Sequence, residues 1–349
     1  MFKLLKEEVN LTIIISALKI IFLLGFLILI HEAGHLIVAK LCKVKVNEFA
    51  IGFGPTIWKK QGKETKYALR LIPLGGFISM EGEEEQSENE GSFSKASIPK
   101  RIAIVAAGAT VNIIFGLCVY FILAISTGPY ISNELETTIE GYAAQIAGMQ
   151  AGDKIIEINN KKVNSKYDID KIMSKNNGEN IELKIQRDGK IEEYSIKPTE
   201  VTLQNDSHKY YLGITMKYAE DNFLNRCING GIQTTEFISE IGDNLKQLFT
   251  GNVGINQMMG PVGISEVVAK TNGISEFLQM MALISISLGI TNLLPIPALD
   301  GGKILILIIE TIRRKPMKQE TEIGIQMLGF AILIGLSLII TYNDILRIF

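Results

Sequence analysis

Two histidines four residues apart, with a glutamate directly after the first, are the residues in this sequence best equipped for chemistry. His31-Glu32-Ala33-Gly34-His35 fits the pattern H-E-x-x-H and uses two of the chain's three histidines. On a helix, positions i and i+4 share a face, so both imidazoles can hold one zinc ion while the intervening glutamate reaches the metal-bound water. A catalytic zinc needs a third protein ligand and an open position. A carboxylate is available at Asp300, which closes the stretch Asn292-Leu-Leu-Pro-Ile-Pro-Ala-Leu-Asp-Gly-Gly. Two prolines cannot continue a regular helix, and unwound backbone at membrane depth is tolerated only where it lines a protein-enclosed, wet cavity. Cys118 is a weaker candidate that reads better as a small packing residue. The bland alternatives are a solvated helix extension for His31 and Glu32 and a helix-ending Asp-Gly turn for Asp300. Ligation by Asp300 is preferred once both histidines are in view.

The elements that must position these residues are apolar. Hydrophobic residues make up 47% of the 349 residues, and the mean hydropathy is +0.24. Ile13 to Ile30 is apolar except for Ser16 and Lys19, while Ile102 to Ser126 and Ile323 to Thr341 carry no charge. Each approaches the roughly 20 residues needed to cross a hydrocarbon core about 30 Å thick. A fourth run, Phe277 to Leu299, is uncharged but broken by Pro295 and Pro297. The sequence therefore predicts four spans. The first exceeds the apolar core of a signal peptide and lacks a following small-residue cleavage site, so we expect it to be retained.

Lysines and arginines cluster between residues 40 and 101 and again at Lys303, Arg313, Arg314, Lys315 and Lys318. The positive-inside rule then predicts that these two loops are cytoplasmic, with both termini and the segment from Thr127 to about Ser275 outside. His208 falls in that outer segment, on the wrong side for the metal. A net charge of −2 argues against a nucleic-acid partner. Cys42, Cys118 and Cys227 form no CxxC pair and no disulfide framework.

Between the first two spans, Gly- and Pro-punctuated apolar pieces around Phe49–Pro55 and Tyr67–Phe77 read as strands and turns. Glu81 to Glu90 reads as a mobile, solvated acidic loop. Residues 181–187 and 191–197 read as a hairpin around Asp188-Gly189. Ile228, Ile232, Ile238, Ile241, Leu245, Leu248 and Phe249 recur at helical spacing. They predict an amphipathic helix lying at the outer membrane surface or packed on the soluble domain.

The pairing of His31-Glu-Ala-Gly-His35 with Asn292-x-x-Pro-x-Pro-x-Leu-Asp300-Gly resembles the site-2 protease family of intramembrane zinc metalloproteases, in its bacterial RseP type. Further landmarks of that likeness are Phe53-Gly-Pro, Ile72-Pro-Leu-Gly-Gly-Phe77, Lys100-Arg101, Gly260-Pro-Val-Gly-Ile264 and Tyr342-Asn-Asp-Ile345. One departure is visible in Gly108-Ala-Thr-Val-Asn112, where Ala109 stands in place of the family's frequent proline. Gly141 to Asn159 resembles part of a PDZ domain. The resemblance implies a polytopic α-helical membrane protein with four transmembrane helices, a membrane-associated β-hairpin region and an extracytoplasmic PDZ-like α+β domain.

The expected organisation is a first transmembrane helix over 1–41 and a cytoplasmic or re-entrant β-rich loop over 42–99. A second helix spans 100–127, the PDZ-like domain 128–216 and an amphipathic interfacial region 217–273. The third helix, with Leu-Asp-Gly, spans 274–302, and a cytoplasmic loop plus the fourth helix occupies 303–349. By the same resemblance His31, His35 and Asp300 are the Zn2+ ligands, Glu32 is the general base, and Asn292 is a polar group near the scissile carbonyl. The expected substrates are single-span transmembrane segments of anti-sigma factors or remnant signal peptides in a bacterial plasma (inner) membrane. They would be cut towards the cytoplasmic side after an upstream site-1 protease has removed the outer domain.

Two other classes compete. A membrane scaffold recruiting partners through the PDZ-like domain has no use for His31, Glu32, His35 and Asp300 together. A zinc- or proton-coupled transporter would be expected to repeat its motifs in inverted halves, and neither motif recurs.

Overall fold

The computed structural model describes residues 2–83, 87, 89–202, 208–251 and 259–348. The chain begins with α1 (Phe2–Leu41), β1 (Val46–Gln61), β2 (Lys66–Met80) and α2 (Ile98–Ser126). There follow β3 (Ile131–Thr138), α3 (Ala143–Ile146), β4 (Lys154–Ile158), β5 (Lys161–Lys162) and α4 (Lys166–Met173). Next come β6 (Ile181–Arg187), β7 (Lys190–Ile196), β8 (Thr199–Thr202), β9 (His208–Tyr211) and β10 (Ile214–Tyr218). The chain ends with α5 (Phe223–Phe249), α6 (Pro261–Ala269), α7 (Gly273–Leu293), α8 (Asp300–Arg313) and α9 (Gln319–Ile348). Contacts divide it into one unit of residues 1–120 with 243–349 and a second of residues 121–242.

Four helices of the described chain are long and apolar enough to cross a membrane, over Ile14–Leu41, Ile98–Ser126, Gly273–Asn292 and Gln319–Arg347. In the first unit Leu23 and Leu27 of α1 are buried with Val268, Phe277 and Met281. A second cluster joins Ala39, Val46 and Met80 to Ile104, Val105 and Leu307. Lys19, the one charge in the first apolar run, donates to the Thr271 carbonyl at 2.8 Å. Asp344 of α9 is fully buried. It accepts the Gly263 N–H at the start of α6 at 2.8 Å and the Arg347 guanidinium at 2.8 Å.

The third span ends at Leu293 and not at residue 302. Pro295 and Pro297 cannot extend the ladder, and Ala298 sits in left-handed backbone at φ 75°. Beyond this break the residues expected as a loop form α8 instead. Ile306, Leu307 and Glu310 bury one face of it at helical spacing, a signal that the basic residues around it obscured.

β1 and β2 form one folded-back sheet. Glu48 to Ile51 are flanked on one side by Gly76–Ser79 and on the other by Lys66–Leu69, while Trp58–Gln61 pair with the outer side of Lys66–Leu69. Gly76–Met80 is therefore an outer edge. The acidic stretch is not simply solvated. Glu81 accepts from Asn47 at 3.1 Å and from Asn89 at 2.9 Å, and Glu83 binds Lys303 at 2.8 Å. Glu84, Glu85 and Glu88 lie outside the described residues.

The second unit has its own core of Leu135, Ile155, Ile158, Ile181, Leu183, Ile185 and Met216, all buried. Its sheet runs β10-β3-β4-β6-β7, with β5 on β4. β6 and β7 are joined at Asp188-Gly189, both with positive φ, which is the turn the Asp-Gly pair predicts. α5 begins against the end of α2, where Asn229 donates to the Gly128 carbonyl at 2.8 Å and to Thr127 Oγ1 at 3.0 Å. β10 is an edge strand, and between it and α4 runs a groove of about 880 Å³ lined by Ile169, Met173, Leu212 and Ile214 among others.

Candidate active site

His31, Glu32 and His35 lie within the α1 span, one helical turn separating the histidines. Both imidazoles are buried. Their Nε2 atoms face each other 3.2 Å apart. Asp300, the first residue of α8, brings Oδ2 to 3.3 Å from His31 Nε2 and 3.5 Å from His35 Nε2. The proline break makes this possible, because it ends α7 and lets a new helix start with its carboxylate at the electropositive N-terminus. Gly301 and Gly302 are required for the tight turn. A Cβ on them would stand 2.2 Å from the Leu294 carbonyl oxygen and 2.3 Å from that of Ile296.

These three residues form the one group of its kind among the described residues that could hold a metal ion, with candidate ligand atoms all within 4.8 Å of one another. A tetrahedral zinc with bonds of about 2.0–2.1 Å has ligand–ligand edges of about 3.3 Å. The three observed edges, 3.2, 3.3 and 3.5 Å, have that size. Among the described residues Asp300 Oδ2 is buried with no hydrogen-bond donor, which leaves its lone pairs open to a metal. The residues therefore fit zinc.

α2 passes directly behind the histidines. Gly34 of α1 meets it closely, since a Cβ there would be 2.7 Å from the Ala107 carbonyl oxygen. At Gly108 a Cβ would stand 2.4 Å from His35 Nε2. His35 Nδ1 donates to the Ile104 carbonyl at 2.8 Å, which leaves Nε2 free for metal. The Asn112 side-chain amide lies 3.4 Å from His31 Nδ1. Sequence reasoning met Gly108 and Asn112 only as landmarks. Their four-residue spacing, and a lone amide in an uncharged span, were the available signals.

On the opposite side the sheet edge approaches Glu32. A Cβ at Gly76 would lie 3.2 Å from Glu32 Cγ, so a larger residue would crowd the carboxylate. Asn292 is half-buried on the last turn of α7. Among the described residues no hydrogen bond joins its amide to His31, His35 or Asp300. Lys303 stands one turn after Asp300 and ties α8 to Glu83, downstream of the sheet edge.

Comparison with known proteins agrees with this chemistry. The profile of Peptidase family M50 matches residues 19–336. The regulator of sigma-W protease RasP of Bacillus subtilis is 31% identical, the alignment covering 96% of this chain and 99% of that protein. Zinc metalloprotease RasP of Geobacillus kaustophilus is 29% identical, with 96% and 98% covered. Among solved structures, the PDZ domain of an SdrC-like protein from Listeria innocua aligns at 29% identity, covering 27% of this chain and 99% of that chain with a TM-score of 0.21. With two histidines of an apolar helix and the first carboxylate of α8 arranged so that they could hold a metal, and a family match along nearly its whole length, the chain belongs to peptidase family M50, the site-2 proteases, as a multi-pass membrane zinc metalloendopeptidase.

Proposed function

We propose that this enzyme cuts single-span transmembrane segments inside the membrane, using His31, His35 and Asp300 as zinc ligands and Glu32 as general base. The observation that carries the reading is the triangle formed by His31 and His35 of the apolar helix α1 with Asp300 at the start of α8, and Glu32 beside it. Zinc, when bound, makes water more acidic and polarises a carbonyl. Glu32 takes a proton from the attacking water and delivers it to the leaving amine. Asn292 supplies a donor to the oxyanion.

A transmembrane helix hides its carbonyls in its own hydrogen bonds, so a substrate must unwind before it can be cut. The Gly76–Met80 edge, beside Glu32, offers unpaired backbone on which an extended substrate can add as a strand. The strongest candidates for substrate are anti-sigma factors, in keeping with the Bacillus subtilis relative's being called a regulator of sigma-W protease, and remnant signal peptides. An upstream site-1 protease trims the outer domain first, and the PDZ-like unit acts as a filter for trimmed substrates. The basic loops set the orientation, with both termini and the PDZ-like unit outside the bacterial plasma membrane and the active site towards the cytoplasm.

The test is cleavage of a single-span reporter in membranes by wild type, Glu32→Gln and Asp300→Asn, with bound zinc quantified for each. The expected result is loss of cleavage in both, zinc retained in Glu32→Gln and weakened in Asp300→Asn. Unchanged cleavage in both variants would return the scaffold and transporter readings.

A further inference from the structure

Three positions on α2, each four residues from the last, face the two histidines: the carbonyl of Ile104, the missing side chain of Gly108, and the amide of Asn112. The first holds His35. Its Nδ1–H donates to the Ile104 oxygen at 2.8 Å, so the ring's proton is fixed on Nδ1 and Nε2 is left with its lone pair. His31 needs the same arrangement, because a neutral imidazole that binds metal through Nε2 carries its proton on Nδ1 and must find an acceptor for it. Among the described residues, the side chain that meets that nitrogen is Asn112, 3.4 Å away.

We infer that Asn112 is the positioning residue for His31, its side-chain oxygen accepting the His31 Nδ1–H and so holding the ring with Nε2 towards Asp300 and zinc. An amide nitrogen is a donor only and cannot receive that proton, whereas a half-turn about the last side-chain bond exchanges nitrogen and oxygen without moving the rest of the residue. The oxygen is free to make the exchange, since Asn112 Oδ1 is buried and has no partner where it stands.

Packing does not account for the residue. Asn112 is fully buried in an otherwise apolar stretch of α2, where leucine would fill similar space with no polar group to satisfy. Its backbone carbonyl, not its amide, receives the neighbouring Ser285 hydroxyl at 2.8 Å. Among the described residues the amide therefore has one partner, and that partner is His31. His35 is held by backbone and His31 by a side chain, so only the second outer contact can be removed by substitution. The inference rests on the zinc centre of the proposed mechanism and extends it to a residue outside the ligand set.

The experiment is zinc affinity of the full-length protein in detergent, measured by chelator competition in a Glu32→Gln background so that proteolysis plays no part. Outer ligands of this kind typically change metal affinity about 10–100-fold. Asn112→Leu should weaken zinc by that factor, while thermal unfolding of the zinc-free protein stays at or above that of its parent. Asn112→Asp, which keeps an acceptor oxygen, should bind within a few-fold of the parent or tighter. Ser285→Ala should leave affinity unchanged. If the leucine variant does not fold, Asn112→Ser, whose side chain is too short to reach His31, carries the same expectation. Parent-like affinity in Asn112→Leu, or equal impairment in Asn112→Leu and Asn112→Asp, would overturn the assignment while leaving the metal centre intact. Absence of zinc from the parent protein would overturn both.

Discussion

At the scale of single residues, the site depends as much on atoms that are missing as on those that are present. Gly108 matters because a methyl group there would stand 2.4 Å from His35 Nε2, the atom proposed to bind zinc. Gly108→Ala is expected to lower zinc affinity and cleavage at least about 100-fold, since the smallest possible side chain already occupies the ligand's place. Inductively coupled plasma analysis of the purified variant checks this directly. Ala298 presents the opposite case, a side chain held in left-handed backbone at φ 75° just before the helix that begins with Asp300. That conformation costs a non-glycine residue about 1 kcal/mol. Ala298→Gly should therefore raise thermal stability by about that much and keep activity. Ala298→Val should lose both, because a β-branched residue tolerates the conformation least.

At the scale of elements, α8 is the part that must be held still, because Asp300 rides on its first turn. Two ion pairs fasten it. Lys303 meets Glu83 at 2.8 Å, and Glu310 accepts Arg101 from α2 at 3.2 Å. Glu310 also accepts the Met317 N–H at 2.8 Å, so it closes the turn after α8 as well. Its side chain is only 8% exposed. Removing one partner of a pair this buried leaves an uncompensated charge and costs about 3 kcal/mol. Glu310→Gln should accordingly unfold at lower temperature and bind zinc more weakly, although it lies three turns from the ligands. A variant with unchanged zinc affinity would show that α8 is positioned by its glycine-packed start alone.

At the scale of the whole molecule, the two units carry separate cores and should respond to different perturbations. In the second unit Asp153 is buried and holds Arg187 through two short bonds, 2.6 and 2.7 Å, while also accepting the Gln150 N–H at 2.8 Å. Burial pushes its carboxyl up, but the Arg187 guanidinium and the Gln150 N–H outweigh burial and hold it below the ordinary carboxylate range. A group with a lowered folded-state value stabilises the fold above its unfolded value, near 4, and loses that contribution as pH falls through the folded value. Asp153→Asn should thus destabilise this unit by about 2–3 kcal/mol at neutral pH. The gap from wild type should be constant above about pH 5 and close below about pH 4. Denaturation followed at several pH values tests the sign. Removing zinc with a chelator should abolish cleavage and leave this transition unmoved, because His31, His35 and Asp300 all belong to the first unit.

Much of this protein follows from sequence by itself, and the reason is local. Apolar runs are read from composition, so four helices long enough to cross a membrane were legible before any coordinates. The i, i+4 spacing of His31 and His35 is a property of one helix, and the Asp188-Gly189 hairpin of one turn. A carboxylate just after two prolines was identifiable as a ligand candidate because prolines announce a break within a few residues of themselves. Contacts between distant segments were not legible in this way. The helix over Asp300–Arg313 was hidden by flanking charge, and its apolar face shows only when α2 is there to bury it. That Ile104, Gly108 and Asn112 stand behind the two histidines, and Gly76 beside Glu32, depends on helix and sheet packing between segments far apart in the chain, 69 residues for Ile104 and His35 and 81 for Asn112 and His31. Tertiary structure alone decided these neighbours, because close approach is set by which surfaces share a core, and no spacing along one element records that.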